Sequence, residues 1–428
     1  MDTVDVVLLS PPYFRFCGSH NSRAAPTLTY LSSFLEAAGI SHVVYNADHT
    51  PAHRFWSMRW MFQHFQPFVD AVDGRGSLYG EVVEIVMSFN PKVVVLLGGE
   101  PLLATKDWAS PFIAGNYAAM FRRLGVYTVG VGHFFTLDRA RFEDAFDCVV
   151  GGEPARQIVD IVRTRPTGYV APRPIPLNAV PNLTRLQPPG QQTDFVTTSF
   201  GCRFPCSFCL VQQLYEALDQ RVRFVELDTV VADLAQRPEH NIYLTDLTFT
   251  YAPPKRLRAL AAALNDAGID KRYTIDTRAD CITPDTADLL VDLQVERVKI
   301  GVEGLTPDLL KAFNKRTELS RIEQAVALLH ERGIKVVTYL LIGGVTRPED
   351  YEATRAYIEK LAPEFVPVAI WAYDLSTEYR YDTQFSPLRL AEWGIDEEVF
   401  FNYIALQDRI NPTVGAMLDY PEARQELR

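Results

Sequence analysis

The sequence contains no apolar run of the ~18 to 20 residues that a membrane-spanning helix needs. Cysteine is also scarce: the chain has six cysteines among 428 residues, and so few in so long a chain do not make a disulfide framework. Positive charge is in deficit as well, because 42 Lys and Arg face 53 Asp and Glu, which gives a net charge of −11. That balance opposes a polyanionic partner such as DNA, RNA or an acidic membrane surface. We therefore expect no nucleic-acid or membrane partner, and a small molecule as the substrate.

The composition is otherwise that of a globular protein large enough for two hydrophobic cores, with 47% hydrophobic and 22% charged residues. Near the start of the chain, Asp2 and Asp5 stand where a secretion signal would carry basic residues. These features predict a cytoplasmic protein, and a reducing compartment also suits cysteines that bind a metal.

Half of the cysteines lie in one short segment, GCRFPCSFC at residues 201–209, where Cys202, Cys206 and Cys209 have the spacing C-x3-C-x2-C. A structural zinc site needs four ligands, usually from two C-x2-C pairs. The remaining cysteines are isolated in the sequence: Cys17, Cys148 and Cys281. Three soft thiolates instead favour an iron–sulfur cubane that is left one ligand short. The competing interpretation is a chance cluster in a turn, or a partial zinc knuckle.

Residues 1–163 predict an α/β domain. Short apolar runs alternate with helical patterns, and they predict strands at residues 4–9, 42–45, 92–97, 127–131 and 147–150. This alternation is typical of a doubly wound parallel sheet of Rossmann type, which binds ligands at the carboxyl ends of its strands. Residues 164–194 contain seven prolines and little periodicity, so we expect an extended interdomain linker there.

A second alternation follows the linker. Strands are predicted at residues 195–199, 241–245, 272–276, 297–302, 335–342 and 366–371, with helical patterns between them. Six such units are too few for a closed eight-stranded barrel. They predict a partial barrel over residues 195–372, with the cysteine segment after its first strand, followed by a short C-terminal extension over residues 373–428.

The cysteine segment and the six units together resemble the radical S-adenosylmethionine (SAM) superfamily, over about residues 195–365. The resemblance implies that Cys202, Cys206 and Cys209 hold a four-iron cluster whose open iron is chelated by SAM, and that an external one-electron reductant such as flavodoxin or ferredoxin supplies electrons. It also implies cofactor contacts from the aromatic residue before the third cysteine and from residues at successive strand ends: Phe208, Asp246, Arg278, Glu303 and Gly343.

The first domain resembles the cobalamin-binding domain that precedes many radical SAM enzymes. It departs from that pattern at the end of the fourth strand, where Val131 stands in place of the second glycine of a pair and would narrow the groove for the cobalamin nucleotide tail. His133 is either a ligand or tail contact, or a hydrogen-bonded structural residue. Cobalamin binding therefore stays open at this point.

Two reactions compete. With cobalamin, the resemblance implies a C-methyltransferase. Without it, the enzyme resembles the cobalamin-independent radical SAM dehydratase of aminoglycoside biosynthesis. Val131 and the tyrosine- and carboxylate-rich residues 371–382 favour dehydration, deoxygenation or rearrangement of a small sugar- or aminosugar-like intermediate of antibiotic biosynthesis, with Tyr215 and Glu216 as catalytic residues. A third hypothesis is an iron–sulfur redox sensor or binding protein.

Overall fold

The computed structural model describes residues 3–16, 22–49, 70–100, 102, 110–137, 139–209, 211, 214, 222–371 and 394–410. Their secondary structure forms two α/β units, one on each side of the proline-rich segment.

The first unit is built on a parallel sheet of seven strands in the order β6-β5-β4-β3-β1-β2-β7. The strands are β1 Val6–Ser10, β2 His42–Asn46, β3 Val93–Leu97, β4 Tyr127–Val131, β5 Cys148–Val150, β6 Gly168–Val170 and β7 Leu186–Gln187. All five predicted strands of this domain are present. The order reverses direction beside β1, as expected for a doubly wound sheet.

Helices cover both faces of this sheet. They are α1 Tyr13–Phe16, α2 Pro26–Ala37, α3 Leu78–Ser88, α4 Ser110–Arg123, α5 Phe134–Leu137, α6 Arg139–Phe142 and α7 Gln157–Thr164. Side chains alternate along β1, so that Val6 and Leu8 pack in one apolar core with α2 and α7, whereas Val7 and Leu9 pack in another with α3 and α4. Both faces of the sheet are therefore buried, which explains why its strands read as continuous apolar runs.

The proline-rich segment does more than the extended linker that the sequence predicts. It supplies β6, which pairs with β5 at one edge of the sheet, and β7, which pairs with β2 at the other edge. These strands are three and two residues long, too short to show a period, and their pairing depends on sheet edges that are distant in sequence.

The second unit contains a parallel sheet of six strands in the order β15-β14-β13-β12-β11-β8, and a small antiparallel pair, β9 with β10. Its strands are β8 Phe195–Val196, β9 Ser199–Phe200, β10 Arg223–Phe224, β11 Asn241–Leu244, β12 Arg272–Thr277, β13 Val295–Glu303, β14 Lys335–Gly343 and β15 Val368–Trp371. The six predicted strands are confirmed, except that the first is split into β8 and β9.

Among the described residues, the helices that accompany these strands are α8 Leu227–Ala235, α9 Pro254–Asp266, α10 Pro284–Asp292, α11 Pro307–Ala312, α12 Leu319–His330, α13 Pro348–Leu361 and α14 Glu397–Ile410. Four of them begin with proline, which fits the first turn because its missing N–H has no helical partner there. Helix α14 lies in the predicted C-terminal extension and contacts α13, where the Tyr403 hydroxyl donates to Thr354 Oγ1 at 3.2 Å. Of the helices described, none combines the length and the apolar character needed to cross a bilayer.

Side chains along the barrel strands also alternate between the two sides of the sheet. Ile242, Ile275 and Val298 belong to the core between the strands and the outer helices. Their neighbours Tyr243, Asp276 and Lys299 therefore point to the opposite side of the sheet, into the lumen. The lumen wall is polar at this level, which places hydrogen-bonding groups inside the barrel.

Candidate active site

The cysteine loop, residues 201–209, follows β9 and is tied to the end of α11. Ser207 donates from its backbone N–H to Phe313 O at 3.2 Å and from Oγ to Ala312 O at 3.0 Å. Asn314 Nδ2 donates to Pro205 O at 2.6 Å. All three cysteines of the loop are free thiols with partly exposed side chains. The loop is thus held on the carboxyl edge of the barrel by contacts that do not use its sulfur atoms.

Arg278 connects the end of β12 to this loop. Its Nη1 lies 3.3 Å from Cys206 Sγ, and its guanidinium lies 4.2 Å from the centre of the Phe204 ring. Asp280 accepts from Nε and Nη2 at 2.9 and 3.0 Å, and Lys315 O accepts a further hydrogen bond. The family resemblance predicts a cofactor contact for Arg278, and the structure places its charge directly against a cysteine of the loop.

Lys315 is a site residue that the sequence analysis missed. It is 4% exposed, and its ammonium group lies 3.4 Å from Glu303 Oε1 and 5.7 Å from the Phe208 ring centre. Burial raises the pKa of Cys206, and the charges of Lys315 and Arg278 oppose that shift. The only sequence signal was its position in Asn314-Lys315-Arg316 after α11. Both flanking residues have left-handed φ angles, 50° and 52°, and such strained positions occur most often at functional sites.

Glu303 ends β13 with a φ of 63°. A Cβ on Gly301 would lie 2.6 Å from Glu303 Oε1 and 3.3 Å from Lys315 Nζ. Glycine at this position therefore makes room for the ion pair, and the structure brings Glu303, Lys315 and Phe208 together beside Cys206.

Asp246 lies two residues after the end of β11 and is 1% exposed. Its carboxylate accepts hydrogen bonds from the Thr198 backbone and hydroxyl at 2.7 and 2.6 Å, and from Ser199 Oγ at 2.6 Å. Burial raises the pKa of Asp246, and these hydrogen bonds oppose the shift. Two residues further on, Thr248 Oγ1 lies 3.6 Å from Cys202 Sγ. Asp246 thus stabilises the start of β9, the strand that precedes the cysteine loop.

The other predicted site residues divide into two groups. Phe208 packs edge-on against Phe313, with ring centres 5.8 Å apart, and Gly343 is buried as the last residue of β14. Tyr215, Glu216 and residues 372–382 lie outside the part of the chain that the structure describes. Their predicted roles stay predictions.

The cysteine loop carries three thiols that suit an iron–sulfur cubane. Within the described ranges, no three His, Cys, Asp or Glu side chains are placed to hold a single metal ion. A cubane has a different requirement, because each thiolate binds a different iron atom. Three thiols on one partly exposed loop, with two cations beside the second, fit that requirement.

A polar cluster lies deeper in the lumen. The Tyr243 hydroxyl donates to Asp276 Oδ2, and Lys299 Nζ lies 3.8 Å from the centre of the Tyr243 ring. Burial raises the pKa of Asp276, and Lys299 opposes the shift. Asp276 Oδ1 is buried and has no hydrogen-bond partner among the residues described. Such an unsatisfied acceptor is costly unless a bound group donates to it.

Comparison with known proteins identifies the second unit. Residues 196–358 match the Radical SAM superfamily, a range that starts in β8, includes the cysteine loop and ends in α13. This chain contains a radical SAM domain. The cofactors of such a domain are a four-iron cluster, which the cysteine spacing predicts, and SAM, which the family resemblance implies.

Curated relatives of this radical SAM protein include methylases. It is 25% identical over 174 residues to the hopanoid C-3 methylase of Methylococcus capsulatus, covering 40% of this chain and 33% of that protein. It is 25% identical over 236 residues to the bacteriochlorophyllide d C-12(1)-methyltransferase of Chlorobaculum tepidum, covering 49% of this chain and 50% of that protein. The matches thus span a third to a half of the length of these relatives.

Solved structures extend the likeness to both units. The radical SAM methyltransferase TsrM from Kitasatospora setae superposes with a TM-score of 0.63 at 18% identity, over 85% of this chain and 73% of that chain. The cobalamin-dependent SAM radical enzyme OxsB superposes with a TM-score of 0.58 at 13% identity, over 93% and 56%. At such identities the likeness shows the fold. It confirms a cobalamin-binding-like domain ahead of a radical SAM barrel.

The first domain is tightly packed where β3 and β4 end, and there the Gly98 N–H donates to Val131 O at 2.7 Å. A Cβ on Gly98 would lie 2.4 Å from the Phe135 ring, and one on Gly99 would lie 2.7 Å from Phe134. Both rings are fully buried, and His133, 1% exposed, stacks on Phe134 with ring centres 4.1 Å apart. The Phe134 and Phe135 rings therefore fill the space over Gly98 and Gly99, next to Val131.

Arg278→Gln tests the contact with Cys206. We expect the cluster to assemble but its midpoint potential to fall by roughly 65 mV, because a charged hydrogen bond of about 1.5 kcal/mol corresponds to about 65 mV for a one-electron couple. A redox titration followed by electron paramagnetic resonance measures the shift. Arg316→Gln, at an exposed neighbouring position, is the control and should keep the wild-type potential. An unchanged potential in Arg278→Gln would contradict the assignment.

Proposed function

We propose that this radical SAM protein activates a carbon atom of a small polar substrate for methyl transfer. When bound, the cluster and SAM supply a deoxyadenosyl radical that removes a hydrogen atom from carbon. The observation that carries the proposal is the cysteine loop itself, fixed on the carboxyl edge of a radical SAM barrel with the Arg278 charge 3.3 Å from Cys206 Sγ.

Different residues of the chain would bind the cluster, bind SAM and orient the substrate. Cys202, Cys206 and Cys209 would hold the cluster, and the Glu303–Lys315 pair offers one charge of each sign for the amino-acid end of SAM. Below them, Asp276 Oδ1 would accept a hydrogen bond from a hydroxyl or amine of the substrate. Such a contact orients one C–H bond towards the radical, and enclosure in the lumen keeps water away from it.

Methyl transfer is the outcome that the relatives support, since the hopanoid and bacteriochlorophyllide enzymes are named as methylases. They do not support the dehydration that the sequence analysis favoured. Dehydration or rearrangement without cobalamin is the second candidate, and the rings of Phe134 and Phe135 packed over Gly98 and Gly99 favour it.

Product analysis distinguishes methyl transfer from dehydration or rearrangement. The anaerobically reconstituted enzyme is given SAM with a deuterated methyl group, dithionite and a set of amino sugars, with and without hydroxocobalamin. Methyl transfer predicts both deoxyadenosine and S-adenosylhomocysteine, and a deuterated methyl group in the product. Deoxyadenosine alone under both conditions would reject methyl transfer and favour the second candidate. If neither nucleoside product formed, the radical SAM activity itself would be rejected. Asp276→Asn should still cleave SAM but lose most of the product.

A further inference from the structure

The lumen of the partial barrel is bordered by residues that are partly exposed. Asp276 of β12, Gly301 of β13 and Tyr339 of β14 are of this kind. Their neighbours on the other side of the sheet, Ile275 and Ile300, are fully buried in the core beneath the helices. The lumen residues therefore border open space, in which a bound molecule would meet their side chains.

Tyr339 lies beside the Glu303–Lys315 pair. In the register of β13 and β14 it is opposite Gly301, and neighbouring strands lie about 4.8 Å apart. A Cβ on Gly301 would lie 2.6 Å from Glu303 Oε1 and 3.3 Å from Lys315 Nζ. Burial raises the pKa of Tyr339, and the charges of Asp276 and Glu303 add to that shift. The phenol thus lies near both the ion pair that would bind SAM and the carboxylate that would orient the substrate.

Two lumen tyrosines, Tyr243 and Tyr339, differ in the state of their hydroxyl groups. Tyr243 donates its hydroxyl hydrogen to Asp276 Oδ2, so that hydrogen is engaged with a carboxylate. Within the described part of the chain, the Tyr339 hydroxyl has no such acceptor. Of these two phenols, Tyr339 is therefore the one whose O–H bond is available to a group in the lumen.

We propose that Tyr339 returns a hydrogen atom to carbon radicals that form in the lumen and are not otherwise consumed. This rests on the proposed radical chemistry, but it does not require methyl transfer. The O–H bond of Tyr339 breaks homolytically and a C–H bond forms at the radical carbon, because an aliphatic C–H bond is stronger than a phenolic O–H bond. One electron from the external one-electron reductant and one proton from solvent then convert the phenoxyl radical back to the phenol. The protein would thereby exchange hydrogen at the activated carbon, an activity separate from methyl transfer.

A reaction with SAM alone tests the proposal, because the first carbon radical then has no substrate to attack. The reconstituted full chain is mixed with dithionite and SAM in deuterium oxide, frozen during turnover and examined by electron paramagnetic resonance. In the wild type we expect a tyrosyl radical, and deoxyadenosine that carries deuterium, since a phenolic hydrogen exchanges with solvent. Tyr339→Phe should lose the radical and most of the deuterium. Replacing Tyr339 by ring-fluorinated tyrosine keeps the hydroxyl and should add a fluorine splitting to the signal.

Tyr273→Phe is the matched control. Tyr273 of β12 is 3% exposed, packs on the core side of the sheet, and its hydroxyl has no hydrogen-bond partner among the described residues. This variant should keep the wild-type radical and deuterium content. Iron content and melting temperature check that the variants are folded.

The outcomes distinguish this inference from the proposed function. A tyrosyl radical that persists in Tyr339→Phe, deuterium equal to that of the wild type, or a signal without fluorine splitting would overturn the role of Tyr339 alone. If the wild type formed no deoxyadenosine, the radical chemistry and this inference would both be rejected. Deoxyadenosine and the tyrosyl radical without any methylated product would reject methyl transfer and support the role of Tyr339.

Discussion

Replacing Cys202, Cys206 and Cys209 together by alanine is expected to reduce the iron content from about four atoms per chain to about none. The physical reason is that the thiolates would be the protein's bonds to the cluster, whereas the loop is anchored through Ser207 and Asn314, which contribute no soft ligand. Iron assay and visible absorption measure the loss, and SAM cleavage should fall to background. The loop itself should stay folded, so the melting temperature of the metal-free protein should change little.

The other cysteines supply the controls for this experiment. Cys148 is fully buried in β5 of the first domain. Cys281 is the more demanding control, because it ends the short turn after Arg278, and burial raises the pKa of its thiol to about 12. Cys148→Ala and Cys281→Ala should both retain the full iron content. Loss of iron in Cys281→Ala would show a fourth cysteine ligand and would remove the open iron that SAM needs.

The second large effect is expected at a buried ion pair between the two units. Arg223 of β10 is 7% exposed and Glu153, after β5, is fully buried. Arg223 Nη2 donates to both carboxylate oxygens of Glu153, and the Ile175 peptide closes the pair, accepting from Arg223 Nη1 at 2.9 Å and donating to Glu153 Oε2 at 3.0 Å. The pair thus joins the first domain, the proline-rich segment and the strand beside the cysteine loop.

Arg223→Met should destabilise the protein by about 3–5 kcal/mol, because it leaves the Glu153 carboxylate buried without its cation. Calorimetry should show the first unfolding transition on the order of 10 °C lower, since a two-domain chain unfolds in more than one step. The double variant Glu153→Met/Arg223→Met should lose less than the sum of the single variants.

An exposed pair of the same residue types provides the comparison. Arg185 and Glu36 also form two hydrogen bonds, both at 2.8 Å, but their side chains are 47% and 45% exposed. Arg185→Met should cost only about 0–1 kcal/mol. Equal losses in Arg223→Met and Arg185→Met would contradict the view that burial of the ion pair decides its effect.

Local sequence patterns predict the strands of both units, and the cysteine spacing predicts the cluster ligands. Strands buried on both faces, such as β1 and β3, are continuous apolar runs within five residues. The helices that alternate with these strands predict that the strands are parallel. The cysteine spacing is equally local, because all three thiols lie within eight residues. Such signals need no knowledge of distant parts of the chain.

Tertiary structure alone decided what surrounds those elements. Arg278 reaches Cys206, Glu153 reaches Arg223, and β6 and β7 take opposite edges of one sheet only after remote segments have packed together. The unsatisfied oxygen of Asp276 likewise becomes evident only when β11, β12 and β13 lie side by side. The physical reason is that these contacts join residues far apart in sequence, and a single chain carries no periodic or spacing signal for such pairs.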